Sequence, residues 1–138
     1  MDVVSNKPVI LYAEDDQDDF EILKDALLQQ TDQFNLVRAH NGTEVISYLN
    51  NQSPGLIVLD LNMPVMDGKQ TLKWLKEHAD HKKIPVMIFT TSSREEDLKL
   101  CKSYECTFFR KPTLYRDLLH VVQIMLQMCS QNNNPKKV

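Results

Sequence analysis

Residues 9–30 read VILYAEDDQDDFEILKDALLQQ. The first five form an apolar, strand-like run. Acids follow at once: Glu14, Asp15, Asp16, Asp18 and Asp19. From Asp18 onward the period changes. Phe20, Leu23, Ala26, Leu27 and Gln30 fall on one stripe at helical spacing, so 18–30 reads as an amphipathic helix. The stretch is therefore a strand feeding a helix, with a knot of negative charge at the joint. That knot is costly. Two carboxylates 4 Å apart repel by roughly 4 kcal/mol at an effective dielectric near 20.

The same alternation continues along the chain. Further apolar runs are FNLVRA (34–39), GLIVLD (55–60), IPVMIFT (84–90) and CTFFR (106–110). Helix-period segments follow each of them: TEVISYLNN (43–51), GKQTLKWLKEHA (68–79), REEDLKLCKSY (94–104) and LYRDLLHVVQIMLQMC (114–129). Five strand–helix repeats predict an α/β domain with a parallel sheet and right-handed crossovers. The third and fourth runs are near-continuous aliphatics, as expected of strands covered on both faces. The expected fold is a doubly wound five-stranded sheet of order 2-1-3-4-5, with helices on both faces.

Composition narrows the function. The 138 residues favour one domain. A net charge of −3 supplies no basic footprint for nucleic acid and no polybasic membrane patch. No apolar run reaches transmembrane length, and MDVVSNKP lacks the regions of a signal peptide, so a cytoplasmic protein is expected. Cys101, Cys106 and Cys129 form no CxxC pair and are expected to be reduced thiols. The polar tail SQNNNPKKV (130–138) is expected to be disordered.

In sheets of this order, ligands sit beyond the carboxyl ends of the strands, at the switch point between the first and third. Glu14 and Asp15 end the first strand, Asp60 the third, Thr90 the fourth, and Lys111 follows the fifth. The topology gathers three carboxylates, a hydroxyl and an ammonium in one crevice. Three carboxylates so placed must take up protons or hold a cation. All-oxygen ligands suit a hard ion, Mg²⁺ or alternatively Mn²⁺, and Mg²⁺ keeps waters and favours phosphate oxygens. An Asp in such a crevice can form an aspartyl-phosphate.

The segments AEDD (13–16), LDLNMPVMDG (59–68), IPVMIFTTS (84–92) and FFRKP (108–112), in that order, resemble the response-regulator receiver domain of two-component signalling. The resemblance spans residues 8–129. LKWLKEH (72–78) and IPVMIFTTSS (84–93) further resemble the small stand-alone receivers paired with phytochrome-type histidine kinases. It implies a flavodoxin-like receiver fold and a single-domain regulator that takes a phosphoryl group from a histidine kinase or histidine phosphotransfer protein. Beyond its own phosphorylation and slow dephosphorylation, no enzymatic activity is implied.

The resemblance also implies roles. Asp60 accepts the phosphoryl group. Asp15 ligates Mg²⁺ with Asp60 and the Asn62 backbone carbonyl, and Glu14 supports the ion through water. Thr90 and Lys111 meet the phosphoryl oxygens, and a cis bond before Pro112 fixes Lys111. Thr90 and Phe108 form the switch. The change is read by a downstream protein on the face of the fourth helix, fifth strand and fifth helix, a face also compatible with a homodimer.

Other residues have plainer readings. Asp16, Asp18 and Asp19 read as acids that favour a helix start. His78 and His81 read as a solvated helix end, His40 and His120 carry no signal, Trp74 reads as packing or partial surface, and Phe20 as core. Glu105-Cys106 stands where receivers often carry Gly-Ala. A haloacid-dehalogenase-type hydrolase would need a second Asp where Asn62 stands. A pseudo-receiver would lack one of the acids, Thr90 or Lys111. A flavodoxin would need a phosphate-cradling loop where the acids are.

Overall fold

A computed structural model describes residues 7–78, 80–81, 83–92 and 94–132. The chain alternates β1 (Val9–Ala13), α1 (Gln17–Gln30), β2 (Asn35–Ala39), α2 (Gly42–Leu49), β3 (Leu56–Leu59), α3 (Gly68–Glu77), β4 (Val86–Thr90), α4 (Glu95–Ser103), β5 (Thr107–Arg110) and α5 (Tyr115–Asn132). The strands form one parallel sheet of order β2-β1-β3-β4-β5, as the alternation predicted.

Successive side chains of a strand point to opposite faces. In β1, Ile10 and Tyr12 therefore face α1 and α5, joining Phe20, Leu23, Leu27, Val122 and Met125. Leu11 and Ala13 face the other way, with Val45, Leu72, Leu75 and Cys101 of α2, α3 and α4. The central strands are buried on both faces, which is why LIVL and VMIFT lack polar alternation.

Three expectations need correction. The last helix runs to Asn132, past the expected end at 129, because no residue before Pro135 interrupts it. Residues 133–138 lie outside the described residues. No cis peptide occurs among the described residues, so the bond before Pro112 is trans. Lys111 is fixed instead by its amide, which donates to the Thr90 carbonyl at 2.8 Å, and by its ammonium contacts. Finally, Cys101 and Cys106 are joined as a disulfide, leaving the buried Cys129 as the free thiol among the described residues. Burial pushes the Cys129 thiol up to about 12.

The cause of that pairing is the end of α4. Glu105 adopts the left-handed conformation, φ 58°, usually left to glycine. Its amide donates to the Lys102 carbonyl and the Cys106 amide to the Cys101 carbonyl, both at 3.1 Å. These two bonds make a Schellman turn, whose closing side-chain contact falls on Cys101 and Cys106. Their Cα atoms are 5.3 Å apart, within disulfide reach. Glutamate thus does glycine's conformational task at a cost of about 1 kcal/mol. Glu105→Gly is expected to raise stability by about that amount, or about 4 °C in thermal midpoint, whereas Glu105→Ala is not. Chemical or thermal unfolding of the three proteins checks this; equal midpoints for Gly and Ala variants would refute it.

Candidate functional site

The site sits where β1, β3, β4 and β5 end. The Asp60 amide donates to the Ala13 carbonyl at 3.1 Å, which ties the ends of β3 and β1 together. Gly68 packs directly on the Asp60 and Leu61 backbone; a Cβ there would overlap Leu61 Cα at 2.7 Å. Between them, Val65 takes φ 67° and the Met66 amide reaches the Pro64 carbonyl at 2.7 Å, a strained γ-turn with a β-branched residue at its centre.

Lys111 is the centre of the cluster. Its ammonium lies 2.5 Å from Glu14 Oε1, 2.9 Å from Asp19 Oδ2 and 3.0 Å from Asp60 Oδ2. Burial disfavours its charge, but the bonds to Glu14 and Asp19 and the charge of Asp60 outweigh that and hold it above the ordinary lysine range. Glu14 is fully buried, and burial raises its pKa, helped by Asp60 and opposed by Lys111. Its Oε1 also accepts from the Tyr12 hydroxyl at 2.9 Å, and its Oε2 from the Asp16 amide at 3.2 Å. Asp60 Oδ1 accepts from the Asn62 amide at 3.1 Å.

Oxygens of Glu14, Asp15 and Asp60 come within 4.8 Å of one another. Glu14 and Asp60 are buried, while Asp15 is exposed at the mouth. This donor set fits a hard divalent cation. Among the described residues, no other group of three ligating side chains is so placed, and His78 and His81 instead stack on Trp74, with ring centroids 3.8 and 5.6 Å away. Thr90 is fully buried at the end of β4, its hydroxyl accepting from the Ser92 amide at 3.3 Å. Phe108 is half-buried on the α2–α3–α4 face, paired in register with Ile88.

Sequence reasoning missed three participants. Asp19 reads as a helix-start acid, yet it binds Lys111. Asp16 and Asp18 do keep that role: the Asp16 side chain caps α1 through the Asp19 amide, and Asp18 lies in the first turn. Tyr12 lies inside the apolar run VILYA, yet a buried phenol needs a partner, and two residues on along the same strand face stands Glu14. Arg38 donates to the Glu14 and Asp15 carbonyls at 3.0 and 2.9 Å and sits 5.6 Å over the Phe20 ring. An arginine inside an apolar strand, beside Tyr12 in the sheet, was the available signal.

A family model described as the response regulator receiver domain matches residues 10–123. The chain belongs to the response-regulator receiver family. This receiver is 35% identical to response regulator Rcp1 of Synechocystis sp. (strain ATCC 27184 / PCC 6803 / Kazusa), over 86% of this chain and 87% of that one. It superposes on the crystal structure of the phosphorylated cyanobacterial phytochrome response regulator RcpA with TM-score 0.79 at 27% identity, covering 88% of this chain and 92% of RcpA. The Mn²⁺-bound form of Rcp1 gives TM-score 0.76 at 31% identity, covering 86% and 91%. No helix among the described residues of the receiver is long and apolar enough to cross a membrane.

Two outcomes follow from the cluster. Mg²⁺ or Mn²⁺ at about a hundredfold its dissociation constant is expected to stabilise the fold by about 2.7 kcal/mol. Asp15→Ala should abolish the effect; a midpoint independent of cation in the parent protein would contradict it. In metal-free protein, the raised Glu14 value means the folded state binds a proton more readily than the unfolded state does. Stability should therefore fall as pH rises above the unfolded value, roughly 4.3. The lowered Asp97 and Glu44 values act below about pH 4, and the raised Lys111 value only above about 10, so the window belongs to Glu14. Unfolding midpoints from pH 4 to 8 should lose this decline in Glu14→Gln; an unchanged slope would sink the assignment.

Proposed function

We propose that the chain is a phosphoacceptor of a two-component relay, taking a phosphoryl group on Asp60 from the phosphohistidine of a histidine kinase or histidine phosphotransfer protein. The observation that carries this is the Lys111 ammonium bound to Asp60 beside a three-carboxylate cation cluster at the strand ends. Phosphoryl transfer needs positioning and charge neutralisation more than covalent help, and this crevice supplies both. Glu14 is the more heavily engaged carboxylate, held by Tyr12, Lys111 and Asp16, against Lys111 and the Asn62 amide for Asp60. On this reading Asp15, Asp60 and the Asn62 main-chain carbonyl would face Mg²⁺ directly, with Mn²⁺ as substitute and Glu14 supporting through water.

A bound divalent cation would neutralise charge on the phosphoryl oxygens. Asp60 attacks phosphorus in line, and the P–N bond to the donor imidazole breaks. The imidazole leaves with the bonding pair and takes a proton from solvent. Lys111 then pairs with the phosphoryl oxygens, and Thr90 offers its hydroxyl. Movement of Thr90 frees Phe108 to turn inward, and the α4–β5–α5 face reports the change to a downstream protein, or to a second copy of the chain, in the cytoplasm. The unit that does this is residues 8–129, with α5 continuing to Asn132.

Incubation with Mg²⁺ and acetyl phosphate, read by intact mass, tests the proposal. The expected result is gain of one phosphoryl group, lost in Asp60→Ala and blocked by a chelator. A folded, cation-binding protein that gains no mass would favour a pseudo-receiver instead.

A further inference from the structure

One buried charge takes no part in the acid cluster. Asp97, in the first turn of α4, is 4% exposed. Its Oδ2 accepts from the Ser92 hydroxyl at 2.6 Å, and its Oδ1 lies 2.9 Å from Lys69 Nζ. That second oxygen is buried and has no well-aligned hydrogen bond, so its partner is the Lys69 ion pair. Burial opposes the charge, but Ser92 and Lys69 more than offset it and hold the carboxyl below the usual range.

Each member sits where its contact matters. Lys69 is the second residue of α3, directly after the Gly68 that packs on Asp60. A lysine in the first turn of a helix opposes the macrodipole, and the Asp97 carboxylate offsets that cost. Arg94 caps α4 with no side-chain bond; the Ser92 hydroxyl accepts from the Arg94 amide at 3.3 Å instead. The Ser92 amide in turn holds the Thr90 hydroxyl. A continuous chain of polar contacts thus runs Lys69–Asp97–Ser92–Thr90, from the helix after the phosphoacceptor loop to the hydroxyl of β4. Lys69 is 40% exposed along its side chain, so solvent can receive its ammonium when the pair opens.

We propose that Asp97 and Lys69 are positioning residues, a latch between α3 and α4 that holds the Ser92–Thr90 segment in its unphosphorylated arrangement. The proposal rests on Asp60 phosphorylation. Because the Thr90 segment must shift to bring its hydroxyl to a phosphoryl oxygen, opening the latch removes a restraint on that step. Asp97→Asn and Lys69→Met are each expected to take up phosphoryl from acetyl phosphate at least threefold faster than the parent protein. The double variant should be no faster than either single, since both break one contact. Lys69→Arg should restore the parent rate, and cation affinity should be unchanged throughout.

A merely structural role would lower the unfolding midpoint without raising the rate in folded protein. Should Asp97→Asn not fold, Lys69→Met, at a part-exposed site, still decides. Variants no faster than a phosphorylated parent, or singles whose effects multiply in the double, overturn the latch alone. A parent protein that takes up no phosphoryl group overturns the reading of Asp60 and the latch with it.

Discussion

The Lys111 ammonium is the constraint around which the crevice is arranged. Three carboxylates from β1, α1 and the end of β3 converge on it within 3.0 Å. Without a cation there, Glu14 and Asp60 would be buried charges in contact, and a fold of ordinary stability could not carry them. Lysine also leaves the work unfinished. One positive charge faces Glu14, Asp60, Asp19 and the exposed Asp15, so the crevice retains a net negative field that a divalent cation would balance. Under the proposed function, a phosphoryl donor would bring still more negative charge, and would be accommodated only with that field balanced.

The neighbours of the cluster make sense as ways of holding it in place. Tyr12 and the Asp16 amide fix the Glu14 carboxylate, Arg38 fixes the turn carrying Glu14 and Asp15, and Gly68 lets α3 begin against the Asp60 backbone. Each is supplied by an element whose apolar face is buried elsewhere in the same sheet. The site is therefore rigid because the core is, and Asp60 is held by β3, a strand buried along its whole length.

Much of this was legible in the residues. VILYA, LIVL and VMIFT declared buried parallel strands, and the acids after β1 declared a site, because runs of aliphatics and clustered charge are local features. Asp60 and Lys111 were legible through topology, which places strand ends together. Asp19 was not, because an acid two residues into a helix satisfies the macrodipole equally well whether or not a lysine 92 positions later reaches it. The Cys101–Cys106 pairing was hidden for a related reason. It depends on Glu105 adopting a left-handed conformation that glutamate seldom takes, and spacing alone does not reveal it. Asp97 was hidden by its neighbours, since three acids in one helical turn read as a solvated helix start, and burial of one of them is a tertiary fact.

The central claim is that the balanced cluster makes Asp60, and not another of the crowded acids, the group that forms an acyl phosphate. Borohydride reduction of the phosphorylated protein, followed by peptide mapping, locates that bond directly, because an aspartyl-phosphate is reduced to homoserine at the position that carried it. Homoserine at position 60 alone is the predicted result. Reduction at position 15, 16 or 19, or none at any acid of a protein that has gained phosphoryl mass, would contradict it.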